Sequence, residues 1–384
     1  MIDEVKMENF YRLPQPAFDS ELTSLLFEIE RYRASIGTGT TSQEVYVELH
    51  LLFDTVMSVI SARIEGNHTT VYEAIDAPAG ESPSTTAEKI REITNIRETS
   101  RFIDELSPSD PLSHSLVREL HSRTVSDLDA EGDPTPGSYR EQEVAILDSS
   151  HRPPSGVNVH SMMTDLLEFA NRNFPLQQQI LQIALAHHRF VWIHPFRNGN
   201  GRVARLFTYA MLRRTVFADR GQIALNPTSV FGNHRGEYIS ALEDADGLKM
   251  DGTLAWTTFF AKGIRDDLAR VYKLQDRSFV NTELIEPAIA GLARDGVISA
   301  DTQRVLGLLL ERAVIKAGDL EPLVGGTAPS RSRLIRDLLD RNLLRRSDAG
   351  PRFYKLSLSS GPLAHRVIRQ LNVLGYLPAL LSRD

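Results

Sequence analysis

A twelve-residue run, HPFRNGNGRVAR, combines residue types that suit chemistry on a phosphate-bearing ligand. Gly199 and Gly201 lack a Cβ, so the chain can turn tightly there and bring its backbone close to a ligand. Arg202 and Arg205 are three residues apart in the helical pattern that follows, so they share one face and can grip successive phosphates. His194 precedes the turn, where an imidazole can act as a base beside the anion. The run therefore predicts a nucleoside triphosphate site with a general base.

The same run resembles the signature of the Fic family, HPFx(D/E)GNGRxxR. The matching residues are His194, Pro195, Phe196, Gly199, Asn200, Gly201, Arg202 and Arg205. One position departs from the pattern, because Asn198 stands where most active members carry an acid. The resemblance covers about residues 44–264 and implies a mainly α-helical, Fic-type bundle with a small β-hairpin flap.

The resemblance implies transfer of AMP from ATP to a Ser, Thr or Tyr hydroxyl of a protein target or of the protein itself. His194 would be the general base for the hydroxyl that attacks the α-phosphate. Arg202 and Arg205 would bind the β/γ end, and Phe196 is expected to anchor the loop rather than touch the substrate. The implied nucleotide-binding set is Phe196, Asn198, Gly199, Asn200, Gly201, Arg202, Arg205, Ile146 and Tyr238.

The cofactor expectation is ATP as co-substrate together with Mg²⁺. Asn198 would be a weak metal ligand, because its side chain offers one neutral oxygen where a carboxylate is the usual Mg²⁺ partner. The phosphates of ATP would supply most of the remaining ligands.

A second motif lies upstream, where SARIEGN resembles the inhibitory motif of the family, (S/T)xxxE(G/N). Ser61, Glu65 and Gly66 match it, and its place before the core implies an N-terminal inhibitory helix. Glu65 would pair with Arg205 and occupy the arginine that the γ-phosphate needs. A forked pair of this kind is worth about 1.5–3 kcal/mol.

The segment after Gly137 resembles the target-binding flap of the family, in which a strand edge pairs with the backbone of the target. We expect Tyr139, Arg140, Val144 and Ile146 to form this flap as a short hairpin, with Ile146 against the nucleotide. Further along, a helix containing Tyr238 resembles the one that closes the nucleoside pocket.

Composition restricts the class of protein. The chain has 384 residues, a formal net charge of −7 and no cysteine, which excludes disulfides, thiolate nucleophiles and Cys-based zinc sites. The sequence shows neither a run of 18 apolar residues nor a basic-then-apolar start, so we expect a cytoplasmic protein without a membrane partner. A homodimer is compatible with the sequence.

Three regions are expected: an N-terminal helical region at 1–87 carrying the inhibitory helix, a catalytic core at 88–275 and a C-terminal region at 276–384. Apolar periodicity predicts helices near 20–35, 44–65, 87–106, 111–126, 161–171, 177–193, 202–214, 234–244, 252–265, 302–313, 317–323 and 330–344.

The C-terminal region shows the order helix, short helix, turn, helix, hairpin, which is typical of a winged helix-turn-helix domain. Arg331, Arg333 and Arg336 would lie on its recognition helix, where phosphate and groove contacts are made. Such domains also bind proteins, so a DNA partner and a protein partner both stay open.

Two other functions fit the same residues. In one, Glu65 positions water and the protein removes AMP from a modified target. In the other, the pocket is a nucleotide sensor in a DNA-binding regulator, and Asn198 marks lost catalysis. The predicted contacts of the loop are to phosphates and not to a base, so a nucleotide other than ATP is also compatible with the sequence.

Overall fold

The fold comes from a computed structural model that describes residues 10–77, 85–146, 149–216, 231–232, 235–378 and 381. Ten helices run through the described part of the N-terminal and core regions. They are α1 (Glu21–Ser35), α2 (Gln43–Ile64), α3 (Val71–Asp76), α4 (Thr85–Glu105), α5 (His114–Thr124), α6 (Gly156–Asn171), α7 (Leu176–Ile193), α8 (Asn200–Arg214), α9 (Arg235–Asp246) and α10 (Met250–Leu274). Periodicity predicted all of these except α3.

Local sequence signals explain where α2 begins and ends. The Ser42 hydroxyl accepts a hydrogen bond from the Val45 amide at 3.4 Å and caps the first turn. Gly66 follows the helix with φ = +102°, a conformation that favours glycine because it has no Cβ. The position of Glu65 is therefore fixed at the last residue before this turn.

The helices form a bundle around one continuous cluster of buried side chains. In it α7 packs on α8, α10 packs along α1 and α9, and α2 packs along α4. Helix α2 is long and apolar enough to cross a membrane, but 83% of its most apolar window is buried inside the protein. A buried core helix accounts for this composition.

The C-terminal region contains α11 (Arg277–Phe279), a π-helical segment (Val280–Ile285), α12 (Glu286–Arg294), α13 (Ala300–Arg312), a 3₁₀ turn (Ala317–Leu320), α14 (Glu321–Val324), α15 (Ala328–Asp340) and α16 (Gly361–Val373). Strands β1 (Leu344–Arg346) and β2 (Tyr354–Leu356) pair antiparallel, with Leu344 opposite Leu356. The predicted order of helices followed by a hairpin is present from α13 to β2. Leu344 belongs to the strand, not to the end of the preceding helix as expected.

The predicted flap hairpin is wrong for the described residues 133–146, which contain no strand. Arg140 explains the difference, because its guanidinium is buried and donates hydrogen bonds to four backbone carbonyls, two of which belong to Ile193 and His194. Its amide also donates to the Pro195 carbonyl at 2.9 Å. These bonds fasten the segment to the signature loop as an extended stretch without a strand partner.

Glu48 on α2 joins the bundle to the C-terminal region. Its carboxylate accepts hydrogen bonds from the Leu358 amide at 3.0 Å and the Ser359 hydroxyl at 2.9 Å, and it lies 3.4 Å from the Arg345 guanidinium. Its side chain is only 2% exposed. Because a buried carboxylate is costly without such partners, these contacts hold α2 against the segment after β2.

We expect Glu48→Gln to destabilise the protein by about 1.5–3 kcal/mol, since the amide cannot reproduce the charge-assisted bonds. The free energy of unfolding from urea titration measures this, with Glu98→Gln, an exposed position on α4, as the matched control. Equal stability of the two variants would show that the Glu48 contacts contribute nothing.

Candidate active site

The signature run forms a closed loop between α7 and α8. His194 ends α7 in the left-handed conformation with φ = +52°, and Gly199 has φ = +72° just before α8 begins. The side chain of Asn200 closes the loop, because its amide donates to the Phe196 carbonyl and its oxygen accepts from the Phe196 amide, both at 2.9 Å. Asn200 therefore shapes the loop with its side chain.

Phe196 is fully buried and stacks on the ring of His121, with centroids 3.8 Å apart and planes at 2°. A nucleotide therefore cannot reach this side chain as the nucleotide-binding set implied, and its role as a loop anchor stays a prediction that the packing supports. His121 on α5 also accepts from the Gly137 amide at 2.9 Å and donates to the Asn198 carbonyl at 3.2 Å. Burial lowers the pKa of His121 to about 4, which keeps the ring neutral and allows both bonds.

The two loop arginines are both buried and both paired with carboxylates. Arg205 donates to Glu65 Oε1 at 2.7 Å, to Ser61 Oγ at 2.8 Å and to the Ser61 carbonyl at 2.9 Å. Glu65 faces this arginine from the end of α2, so the pair implied for Ser61, Glu65 and Arg205 is present. Burial acts to raise the pKa of Glu65, but the charge and hydrogen bond of Arg205 outweigh it and hold the pKa below its usual value.

The carboxylate of Glu65 also sits against the first turn of α8. A Cβ added to Gly201 would lie 2.3 Å from Glu65 Oε1, so only glycine permits this approach. The first turn of a helix has unpaired amides and a positive dipole end, which attract anions. Glu65 thus occupies a position that suits an oxyanion.

Arg202 has a different partner, which the sequence did not indicate. It donates to Glu92 Oε1 on α4 at 2.9 Å and to the Glu131 carbonyl at 2.9 Å. Asn67 donates to the other Glu92 oxygen at 2.8 Å. The sequence does hold one indication that Glu92 is buried, because it lies one helical turn before the buried Ile96. Nothing in the sequence indicates that Arg202 is its partner.

These features coincide with a match to a known family. Residues 111–212 match the Fic/DOC family. These residues are similar to a Fic domain. The protein adenylyltransferase Fic of Nematostella vectensis is 28% identical over 194 residues, which cover 48% of this chain and 42% of that protein. The one from Aedes aegypti is 26% identical over 159 residues, 40% of this chain and 29% of that protein. The chain thus matches less than half the length of either relative.

Solved structures show the same fold. A Fic family protein from Desulfovibrio desulfuricans G20 superimposes with a TM-score of 0.54 at 20% identity, covering 90% of this chain and 98% of that one. Fic-1 from Caenorhabditis elegans gives a TM-score of 0.53 at 21% identity, over 65% of this chain and 71% of that one. The Fic fold therefore underlies the helical bundle described above.

His194 of the Fic domain is half-buried, and its ring orientation is fixed. Nδ1 lies 3.3 Å from the Val191 carbonyl, so Nδ1 carries the proton and Nε2 has a free lone pair. Burial lowers the pKa of His194 to about 4, with Arg140 adding to the decrease. The imidazole is therefore neutral at pH 7 and Nε2 is able to accept a proton.

Asn198 is bound within the loop. Its side-chain oxygen accepts from the Gly199 amide at 2.7 Å, and its side-chain amide donates to the Gly132 carbonyl at 3.2 Å. The Asp133 carboxylate is close, since it accepts from the Asn198 amide at 3.3 Å, and its other oxygen accepts from Thr135. Asn198 and Asp133 thus fix the shape of the loop in this structure.

The predicted flap residues divide into two groups. Arg140 is a buried anchor, which contradicts its expected role in presenting a strand to a target. Tyr139 is half-buried, with its ring 5.4 Å from Phe196. Val144 and Ile146 are half-buried as well, so their side chains retain some accessible surface. Contact of Ile146 with a nucleotide stays a prediction.

Tyr238 lies in a buried cluster of aromatic side chains at the core end of the Fic domain. Its hydroxyl is 3.0 Å from His187 Nε2, and its ring is 5.0 Å from Phe231 and 6.1 Å from Trp256. The ring is 4% exposed, so a nucleoside would reach it only at its edge. Its nucleotide contact stays a prediction.

The C-terminal arginines are not equivalent. Arg331 donates to the Gly326 carbonyl at 2.7 Å and its side chain is 10% exposed, so it stabilises the turn before α15. Arg333 and Arg336 are exposed one turn apart on α15. DNA binding by this helix stays a prediction that concerns Arg333 and Arg336 more than Arg331.

We expect His194 to titrate near pH 4, because burial disfavours the charged imidazolium. NMR of protein with ¹⁵N-labelled histidine measures this from the shift of the His194 ring nitrogens, assigned by comparison with His194→Ala, with free histidine as reference. A His194 midpoint equal to that of free histidine would contradict a desolvated base.

Proposed function

We propose that this protein transfers AMP from ATP to a hydroxyl of a protein target. The observation that carries the proposal is His194, whose Nδ1 contacts the Val191 carbonyl at 3.3 Å. Its Nε2 is thereby left to accept a proton at the start of the loop that leads into α8, where Arg202 and Arg205 lie. The adenylyltransferase names of the relatives support it. A neutral imidazole next to a helix start and two arginines suits attack of a hydroxyl on a phosphate ester.

The chemistry follows from these positions. The target oxygen bonds to the α-phosphorus while the bond from this phosphorus to the bridging oxygen of the β-phosphate breaks, so pyrophosphate leaves. Nε2 of His194 takes the hydroxyl proton. Arg205 neutralises charge that grows on the departing pyrophosphate, and the amides at the start of α8 point toward the same region.

Magnesium enters this proposal as part of the substrate. The side-chain oxygen of Asn198 already accepts a hydrogen bond, and both oxygens of Asp133 accept bonds from the loop around them. Such a donor set does not fit a resident Mg²⁺ site, since this hard cation prefers free carboxylates and phosphates. We therefore propose that Mg²⁺ arrives bound to the phosphates of ATP.

We further propose that Glu65 inhibits the transfer. Its carboxylate holds Arg205 and lies against Gly201, where it competes with a phosphate oxygen for the same arginine and the same helix start. The cavity bordered by Glu65, Glu92 and Glu131 measures only about 130 Å³. Ligand pockets usually measure roughly 300–1,000 Å³, so this cavity by itself is too small for a nucleotide.

The target is proposed to dock along Glu141–Glu143, a stretch of exposed residues next to the buried Arg140. Arg140 fixes the start of this stretch on the His194 carbonyl at 2.7 Å. The Gln142 carbonyl already accepts a hydrogen bond from Arg140. The other backbone groups of this extended segment can pair with a second chain, which places a hydroxyl near His194. We propose that residues 141–143 bind the target through its backbone groups and not through particular side chains.

We expect Glu65→Gly to raise AMP transfer at least about tenfold, because loss of a charge-assisted pair of about 1.5–3 kcal/mol frees Arg205 for phosphate. The measurement is intact mass, together with gel labelling by α-labelled ATP, after incubation with ATP and Mg²⁺. Glu65→Gly combined with His194→Ala should show no transfer.

The matched control is Glu105→Gly, which removes an exposed glutamate from the end of α4 and should behave like the wild type. A gain of phosphate instead of AMP would contradict the proposed reaction. If the wild type removes AMP from a modified protein and Glu65→Gly cannot, Glu65 positions water and the protein is a hydrolase instead.

A further inference from the structure

A second cluster of chemically active side chains lies away from the Fic loop, where α2 faces α4. His50 and Asp54 are one turn apart on α2, and Asp104 is near the end of α4. Their candidate ligand atoms all lie within 4.8 Å of one another. The three side chains are 4%, 1% and 12% exposed. This cluster takes no part in the chemistry proposed above.

Asp54 is the unusual member of the cluster. Both of its carboxylate oxygens are buried and accept no hydrogen bond from any residue that the structure describes. The nearest cations do not replace one, because His50 Nε2 and Arg101 Nε are each 3.8 Å from Asp54 Oδ2, and the Arg101 side chain is 45% exposed. A buried carboxylate without such partners is costly, which indicates that another positive group belongs there.

Asp104 is already oriented toward the same point. Its Oδ1 accepts a hydrogen bond from the Tyr209 hydroxyl and lies 3.3 Å from Arg213 Nε, both on α8. Its Oδ2 is hydrogen-bonded to His50 Nε2 at 3.1 Å, a bond that an ion held between these two atoms would replace. Metal ligands are usually fixed by neighbouring groups in this manner.

We propose that His50, Asp54 and Asp104 bind a divalent transition-metal ion of the Zn²⁺ class. A tetrahedral ion with bonds of about 2.0–2.1 Å sets its ligand atoms roughly 3.3 Å apart. The distances from His50 Nε2, 3.1 Å to Asp104 and 3.8 Å to Asp54, lie on either side of that value. One imidazole with two carboxylates favours such an ion over Mg²⁺ or Ca²⁺, which prefer oxygen alone.

The ionisation of Asp54 agrees with this assignment. Burial raises its pKa to about 6, against the opposing effect of His50, so the carboxylate is still mostly ionised at neutral pH. The surrounding charges that face Asp54 are Asp104 and the arginines Arg97 and Arg101.

The site would join α8, which begins at the signature loop, to α2 and α4, which carry the carboxylate partners of its two arginines. Asp54 lies three turns before Glu65 on α2, and Tyr209 lies one turn after Arg205 on α8. A bound ion would hold α2 on α4 directly and on α8 through Asp104 and Tyr209. The inference concerns binding and stability, and it stands whether or not the protein transfers AMP.

The test uses the untagged full-length protein after chelation and removal of the chelator. We expect calorimetric titration with ZnCl₂ to give one site, and Co²⁺ to give visible absorption bands of a low-coordinate complex. Zn²⁺ should also raise the Tm in a thermal melt, because it binds the folded state. MgCl₂ at the same concentration should produce none of these effects.

Asp54→Asn and His50→Gln should each weaken Zn²⁺ binding by at least about tenfold, as even loss of a supporting residue costs 10–100-fold. Glu98→Gln and His68→Gln are the matched controls, since they remove an exposed carboxylate and an exposed imidazole. Far-UV circular dichroism confirms that each variant is folded. Because the Co²⁺ bands need a formed site, they give a second reading if one variant is unstable.

Two results would overturn the proposal. One is Zn²⁺ binding that Asp54→Asn and His50→Gln leave unchanged, which places the ion elsewhere. The other is no Zn²⁺ binding by the wild type together with a higher Tm for Asp54→Asn, which shows that Asp54 is a buried acid without a metal. Neither result depends on ATP or on the activity of the Fic domain.

Discussion

Helix α2 is buried on almost every face, and the packing of the other elements depends on how its polar side chains are paired. A helix in that position must find a partner for each polar side chain, because an unpaired buried charge costs several kcal/mol. Glu48 contacts the C-terminal region, His50 contacts α4, and Ser61 contacts α8. Asp54 is the exception, since its carboxylate accepts no hydrogen bond from the described residues. The polar residues of α2 therefore decide which elements can pack around it, and the position of Glu65 at its end follows from all of these contacts together.

Because α2 is long, contacts at Glu48 near its start influence the position of Glu65 at its end. Glu48 and Glu65 are 17 positions apart on one unbroken helix, which corresponds to roughly 25 Å at 1.5 Å per residue. A helix packed on all sides moves as a unit, so the bonds of Glu48 to Leu358 and Ser359 restrict where Glu65 lies. Loss of these bonds would loosen the Glu65 end without touching the loop. The C-terminal region thus takes part in holding Glu65 against Arg205.

Sequence patterns predicted the features that depend on neighbouring residues in the chain, namely the helices and the signature loop. Periodicity gave most helices within a few residues, and the signature resemblance led to the bond between Glu65 and Arg205. Contacts that depend on tertiary packing could not be predicted from the sequence. Glu92, for example, pairs with Arg202 across 110 residues, and no local pattern links the two positions. The flap hairpin was wrong because the guanidinium of Arg140 binds backbone carbonyls that a sequence cannot place. Helices α11, α12 and α16 were not predicted from the sequence, although Pro287 and Pro362 stand in the first turns of α12 and α16, where proline is a helix-start signal.

Arg202 and Arg205 differ in the free energy that it costs to remove their carboxylate partners when a phosphate binds. Glu92 is 3% exposed and Glu65 is 33% exposed. If a phosphate displaced Glu92 from Arg202, a buried carboxylate would lose its main counter-charge and keep only the bond from Asn67, at a cost of several kcal/mol. If a phosphate displaces Glu65 from Arg205, the carboxylate can turn into water while the arginine keeps an anionic partner. Exchange is therefore inexpensive only at Arg205, and a ligand that entered the loop would meet Arg202 with Glu92 still in place.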